Sequence, residues 1–338
     1  MEPIKCYAGC HMDSEIRMHS SSGGVFSALA AYVFSLGGVV YGVAMSEDCY
    51  SAEFIAVSEP AGLERLRGSK YLQADTGNAY RQVLQDLLAG KTVLFAGTGC
   101  QVNGLKCFLG QAYDRLICVD MICHGVPSPS LWKAYVRHQE RKLGGKIKTV
   151  DFRCKDAGWK DFGMKVSLEG PGNACQRYAS KDNDPYMQMF LRNMCLRPSC
   201  YACAAKKMKL SDLTIADFWG IEKAAPEMDD NKGTSLIIVR TERGKEVFHA
   251  ASGALDYKEI PYSTAIAGNS AESRSVARPS ERETIFVALR SMSFAELEKK
   301  YAGAPVRRRL RRAVRAVLRR VCRVVFPTVL RIRRKGSL

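Results

Sequence analysis

Three cysteines, in Cys195-Leu-Arg-Pro-Ser-Cys200-Tyr-Ala-Cys203, carry the strongest chemical signal of the chain. The C-x-x-C pair can bring two thiols to one centre without long-range folding, and soft thiolates at that spacing form a wall of an iron–sulfur or a zinc site. Cys100, in Gly97-Thr98-Gly-Cys100-Gln, and Cys123, in Cys123-His-Gly-Val-Pro127, each follow an apolar strand-like run. Ligands of open α/β sheets sit beyond the carboxyl ends of the strands. Cys100, Cys123, Cys200 and Cys203 therefore make a candidate four-thiolate set, which suits a [4Fe–4S] cluster or Zn²⁺. Cys195 is either a further ligand or the residue that ends a preceding helix. Cys49, Cys107, Cys118, Cys154, Cys175 and Cys322 read as packing or incidental thiols.

A second candidate site is the run Ser20-Ser-Ser-Gly-Gly24. Ser21, Ser22, Gly23 and Gly24 offer hydroxyls and open backbone amides at the positive end of a following helix. That arrangement holds a phosphate or pyrophosphate, or else simply caps the helix. If it holds a pyrophosphate, Gly23→Asp would put charge and bulk in its way. Ser69 and Lys70, in Gly68-Ser-Lys-Tyr71, add a possible anion partner. His124 beside Cys123 is a proton-transfer group or a residue that braces the loop. No G-x-G-x-x-G follows a strand, and neither a P-loop nor a G-x-S-x-G is present, so nicotinamide-type Rossmann, nucleotide-hydrolase and α/β-hydrolase readings lack their motifs.

These residues need a scaffold, and the pattern around them is α/β. Val25, Phe26, Leu29, Tyr32, Val33 and Leu36 recur at helical spacing, and Val39–Met45 reads as a strand. A helix over Tyr80–Leu88 leads to a strand at Thr92–Ala96. Leu116–Ile122, apolar on both faces, reads as a central parallel strand. Ser128 and Pro129 begin another helix. A partly parallel sheet with flanking helices is expected for the first half. A mixed α+β, cysteine-bearing region follows, with strands at Lys148–Arg153, Met164–Leu168, Leu213–Phe218 and Leu236–Val239 and a helix over Tyr186–Met194. The boundary falls near Gly144–Gly145, giving regions 1–145 and 146–305 and a tail at 306–338.

With 338 residues and 46% hydrophobic content the chain can bury one large core or two ordinary ones. Its net charge of +17 is uneven, because 306–338 holds thirteen of the 51 Lys and Arg and none of the 34 acidic residues, leaving +4 for 1–305. The charge is an appendage, so no specific nucleic-acid partner is expected. Leu310, Val314, Val317, Leu318 and Val321 share one side of an arginine-rich helical pattern. That helix could lie on an anionic membrane surface, dock on an acidic protein or stay solvated. Thirteen scattered cysteines, no signal-peptide profile and no spanning apolar run point to a reducing cytoplasm, and the membrane-surface option for the tail would add peripheral contact with the inner face of the membrane.

Ser20–Gly24, Arg67–Tyr71, Gly97–Gln101, Ile122–Pro129, Gly158-Trp159, Arg197–Cys203 and Ser211–Gly220, in this order, resemble the beta subunit of coenzyme F420 hydrogenase/dehydrogenase. The resemblance covers roughly 15–250. It implies a flavin and iron–sulfur oxidoreductase with FAD, at least one [4Fe–4S] cluster and electron exchange with a deazaflavin (F420) or another acceptor. It further implies that Ser21, Ser22, Gly23, Gly24, Ser69, Lys70, Gly97 and Thr98 lie near the flavin, that Cys100, Cys123, Cys200 and Cys203 ligate the cluster, and that 1–145 is the flavin-binding region. Two departures stand out. Gly99 occupies a position where the family usually has Pro, and only Cys6 and Cys10 precede the serine run, too few for the ferredoxin-like module of many relatives. A ferredoxin or ferredoxin-like donor on a separate chain is therefore expected. From another class, a zinc-stabilised scaffold protein at the membrane remains the alternative.

Overall fold

The computed structural model describes residues 3–169 and 175–303. The basic segment 306–338, with its expected amphipathic helix and Cys322, lies outside the described residues. Eleven strands are present among the described residues: β1 Lys5–His11, β2 Val39–Met45, β3 Ala52–Val57, β4 Val93–Thr98, β5 Leu116–Met121, β6 Lys146–Cys154, β7 Gly163–Glu169, β8 Cys175–Ser180, β9 Leu213–Asp217, β10 Ser235–Val239 and β11 Leu255–Glu259. Eight of them form one sheet in the order β11-β1-β10-β9-β5-β4-β2-β3, and β6-β7-β8 form a second.

The inner strands β2, β4, β5 and β9 run parallel, while β3 and the group β10-β1-β11 flank them antiparallel. Strands covered on both faces must be apolar on both. That is the composition of β4 and β5, buried along nearly their whole length. Helices Val25–Ser35 and Glu242–Ala251 cover one face, with Leu29, Val33, Val247 and Phe248 against Val40, Leu94, Ile117 and Ile237. Helices Ala79–Leu88 and Gly99–Leu109 cover the other, with Val83, Leu87, Val102 and Leu105 against Tyr41, Phe95 and Cys118.

Near Gly144, a left-handed residue at φ 75° that ends helix Pro129–Leu143, the chain leaves the large sheet. It builds β6-β7-β8, which packs Phe152, Met164 and Val166 against Trp132, Tyr135, Tyr186 and Phe190. The chain then returns, and β9, β10 and β11 join the sheet of the first half. The fold is thus α/β with a parallel core, but the large sheet draws its strands from both sides of Gly144–Gly145. Cys6 and Cys10, four residues apart on β1, share one face with Ala8 and are buried against Leu236 and Ile238. Burial pushes the Cys6 thiol up to about 11.

Strand polarity decides what meets at the carboxyl edge of the parallel core. β10 is antiparallel to β9 with Ser235 opposite Asp217, and β1 is antiparallel to β10 with Gly9 opposite Ser235. The ends of β1, β2, β4, β5 and β9 and the start of β10 therefore lie along one edge. The serine run, both strand-end cysteines and the Asp217–Gly220 loop follow from it.

Candidate functional site

β4 and β5 are neighbours, with Thr98 opposite Met121, so their carboxyl ends emerge side by side. β4 passes directly into helix Gly99–Leu109. Thr98 caps it: the Gln101 side chain accepts from the Thr98 N–H and hydroxyl, each at 2.9 Å. Cys100 lies exposed in the first turn, its Sγ 3.2 Å from Thr98 Oγ1. A Cβ on Gly99 would stand 3.0 Å from Asp120 Oδ2 and 3.3 Å from Ala205 Cβ, so the glycine fits a tight approach here.

β5 runs into the loop that carries Cys123, and this loop holds the Cys195–Cys203 segment. Ser128 N–H donates to Cys195 O at 2.9 Å and Arg197 N–H to Val126 O at 2.9 Å. Gly125, at φ 139°, lies under Leu196 and Cys200, where any side chain would collide. Two 3₁₀ turns, Pro198–Ala202 and Ala204–Lys206, then present Cys200 and Cys203. The Cys203 N–H donates to Ser275 Oγ at 2.9 Å.

The four thiols share one electrostatic neighbourhood. Burial pushes Cys123 up to about 12, and the adjacent Cys100 and Cys200 oppose its ionisation further. Cys200 is raised by burial too, with Cys100 and Cys203 adding to the shift. Opposing these, the Gly125 N–H favours the Cys123 thiolate and the Val126 N–H the Cys200 thiolate. Lys206 sits close enough to both Cys123 and Cys203 for each to favour its charge, and its Nζ donates to Cys123 O. Cys195 is elsewhere: its thiol is fully buried beside Tyr186 and Arg282, and burial pushes it up to about 12. Among the described residues no group of three or more His, Cys, Asp or Glu side chains is disposed to hold a single metal ion. A four-iron cluster makes a different demand, since each thiolate binds its own iron. Four thiols grouped within electrostatic reach, two of them facing backbone N–H groups, fit that demand.

The serine run occupies another stretch of the edge, against β1 and β10. Gly24, at φ 88°, precedes helix Val25–Ser35. Ser20 Oγ donates to Ile16 O at 2.7 Å and Ser22 Oγ to Thr234 O at 2.8 Å. Ser21 Oγ and Ser69 Oγ are 2.8 Å apart, and the Ser69 N–H donates to Ser21 Oγ at 2.7 Å. Lys70 Nζ donates to the carbonyls of Arg65 and Arg67, and burial pulls its amine down to about 7. Ser21, Ser22, Gly23, Gly24, Ser69 and Lys70 are thus gathered in one place. Gly97 and Thr98 are not with them. They belong to β4 beside Cys100, with β5 and β9 between β4 and β10. Gly23 also has a packing reason: its Cβ direction meets the Gly9 carbonyl and Ser235 N at 2.8 Å. Gly23→Asp would therefore disrupt strand contacts before it reached a cofactor.

Arg153 and Lys155, at the end of β6, were missed by sequence reasoning. Lys155 Nζ donates to the carbonyls of Arg17 at 2.8 Å, Ser22 at 2.7 Å and Lys232 at 2.7 Å, and burial pulls it down to about 7. Arg153 donates to Ser21 O at 3.2 Å, Asp217 Oδ1 at 2.9 Å and Tyr71 OH at 3.3 Å, and its guanidinium lies 3.8 Å from the Phe162 ring centre. Trp159 Nε1 donates to the same Asp217 oxygen at 3.0 Å and stacks on Trp219 at 4.9 Å. The available signal was the Arg-x-Lys spacing, which puts both cations on one side of a strand. Nothing local says that this strand end reaches the serine run. His124 packs edge-on to Phe190 at 5.2 Å, burial lowers its pKa, and its Nε2 is buried without a hydrogen-bond partner among the described residues.

The fold is thus an open α/β sheet whose carboxyl edge collects four thiols and, two strands away, a hydroxyl- and cation-bearing loop. The family model for the N-terminal part of the coenzyme F420 hydrogenase/dehydrogenase beta subunit matches residues 6–80, and that for its C-terminal part matches 90–263. The chain belongs to this family of oxidoreductase subunits. Among solved structures it is similar to a chain of the F420-reducing [NiFe] hydrogenase complex from Methanosarcina barkeri. There the TM-score is 0.52 and the identity 17%, over 79% of this chain and 85% of that one. No curated protein matches.

Proposed function

We propose that this protein is a flavin- and iron–sulfur-dependent electron-transfer subunit. In this reading it moves electrons between a ferredoxin-like protein on a separate chain and F420 or another organic acceptor. The observation that carries the reading is the grouping of Cys100, Cys123, Cys200 and Cys203 at the carboxyl edge in a member of this family. The cluster would be held by these thiolates, with the Gly125 and Val126 amides offsetting their charge. FAD would be held on the serine side: the Ser21 and Ser69 hydroxyls, the N-terminus of helix Val25–Ser35 and Lys70 are suited to its phosphates. When bound, the two groups supply single-electron and hydride chemistry respectively.

Gly97 and Thr98 are assigned to the thiol side of the edge and support Cys100. Among the described residues no helix is long and apolar enough to cross a membrane, and a cytoplasmic location is part of the proposal.

Anaerobic purification with iron, sulfide and flavin quantification tests this reading. The protein should be brown-yellow, Cys200→Ser and Cys203→Ser should lose most of their iron, and Cys107→Ser should keep it. A colourless protein, or full iron in both ligand variants, would end the cluster assignment.

A further inference from the structure

The segments that carry the four thiols are also one-sidedly charged. Arg197–Leu210 contains Arg197, Lys206, Lys207 and Lys209 and no acidic residue, helix Gly99–Leu109 adds Lys106, and the Ile122–Ser128 loop has no carboxylate. The neighbouring loop, tied on through Ser275 and the Cys203 N–H, adds exposed Arg274. Its acid, Glu272, is buried and already paired with Arg240 and Lys209. Arg197, Lys207 and Arg274 are exposed and make no ion pair among the described residues. Over residues 1–305 as a whole the balance is only +4.

The same edge also exposes apolar side chains: Met208, between Lys207 and Lys209, is 48% exposed, and Met121, which ends β5, is 41% exposed. Cys100 is exposed at the start of helix Gly99–Leu109. Asn103 Nδ2 donates to Met208 O at 2.9 Å, which fixes the Lys207–Lys209 segment against the Cys100 helix. Unpaired cations around flexible methionines make a surface that steers an oppositely charged partner by long-range attraction and then accommodates an apolar centre.

We propose that this face, bounded by Arg197, Lys106, Lys207 and Arg274 around Cys100, is the docking surface for an acidic electron-transfer protein. Such a partner would carry carboxylates around a redox centre near its own surface. Charge complementarity selects the acidic partner, and the exposed thiol side is where the two centres can approach most closely. The proposal deepens the electron-transfer reading and rests on it for the partner's role.

The test is isothermal titration of the full-length protein, as purified anaerobically, with a small acidic ferredoxin, with a basic haem protein as comparison. Binding to the ferredoxin should weaken steeply as salt rises from about 50 to 300 mM. The double variant Lys207→Glu/Arg274→Glu should lose about tenfold or more in affinity, while Lys142→Glu, on the helix that leads away from this edge, should lose less than about twofold. Circular dichroism and iron and flavin contents of the same samples report separately on folding and on the cofactor reading. A colourless protein that still binds would leave the docking face standing and the cofactor assignment fallen. No ferredoxin binding, salt-independent binding, equal weakening by Lys142→Glu, an unaffected double variant, or equally tight binding of the basic protein would overturn the proposal.

Discussion

Gly23→Ala is the most informative single substitution in the serine run, because the structure separates packing from cofactor binding there. An added Cβ would press on the Gly9 carbonyl and stand 2.8 Å from Ser235 N, both backbone atoms in paired strands. Overpacking of this kind costs about 1–3 kcal/mol. Two hydrogen bonds are strained with it, Gly23 N–H to Ser235 Oγ at 2.9 Å and His11 N–H to Gly23 O at 2.7 Å. At about 1 kcal/mol each, the total is about 3–5 kcal/mol. Gly68→Ala supplies the comparison: at φ 78° with nothing within 4 Å, it meets only left-handed strain. That strain is about 1–2 kcal/mol. Urea unfolding followed by circular dichroism, on protein stripped of any bound flavin, should rank Gly23→Ala well below Gly68→Ala, with unchanged m-values. A Gly23→Ala variant within about 1 kcal/mol of the parent would refute the packing argument and return the glycine to a purely ligand-binding role.

Two further perturbations probe the same edge. Lys70 is cationic below its pKa of about 7 and neutral above it, so FAD retention should fall as pH rises through that value. Lys70→Met should bind FAD more weakly and lose that pH dependence, as followed by flavin fluorescence on equilibrium dialysis. Asp217→Asn removes the charge facing Arg153, whose side chain is 3% exposed against 18% for Asp217. Leaving a buried guanidinium without its carboxylate should cost about 3 kcal/mol and lower the melting temperature, and the Trp159–Trp219 fluorescence should shift with it.

Much of the scaffold was legible because periodicity and punctuation agreed. Val39–Met45 is a strand over the residues its apolar run predicts, and Ser128, Pro129 and Gly144 delimit a helix as their chemistry requires. Antiparallel β1, β3, β8 and β11 were not read. β1 alternates Cys6, Ala8 and Cys10 with Tyr7, a pattern too short and too weakly β-branched to stand out. The carboxyl-edge rule placed Cys100 beside Cys123, since β4 and β5 do pair. It could not place Cys195, whose side is decided by the helix Pro185–Leu191 ending early and turning the thiol towards Tyr186. Gly97 and Thr98 were grouped with the serine run although β10, which abuts that run, is separated from β4 by two strands. Strand order is a long-range property that local spacing does not encode. The same reason hid Arg153 and Lys155, whose partners Ser21 and Ser22 lie more than a hundred residues away in the chain.

The central claim is that Cys100, Cys123, Cys200 and Cys203 together hold an iron–sulfur cluster, and thiol footprinting tests it directly. Cys100 and Cys107 lie on one helix, and both are exposed in the fold. Anaerobic alkylation with iodoacetamide at about pH 8, mapped by mass spectrometry, compares them within a single molecule. In iron-loaded protein Cys107 should be modified while Cys100 is protected together with Cys123, Cys200 and Cys203. Removing the iron with a chelator and oxidant should make Cys100 as reactive as Cys107. Equal modification of Cys100 and Cys107 in iron-loaded protein would contradict the assignment.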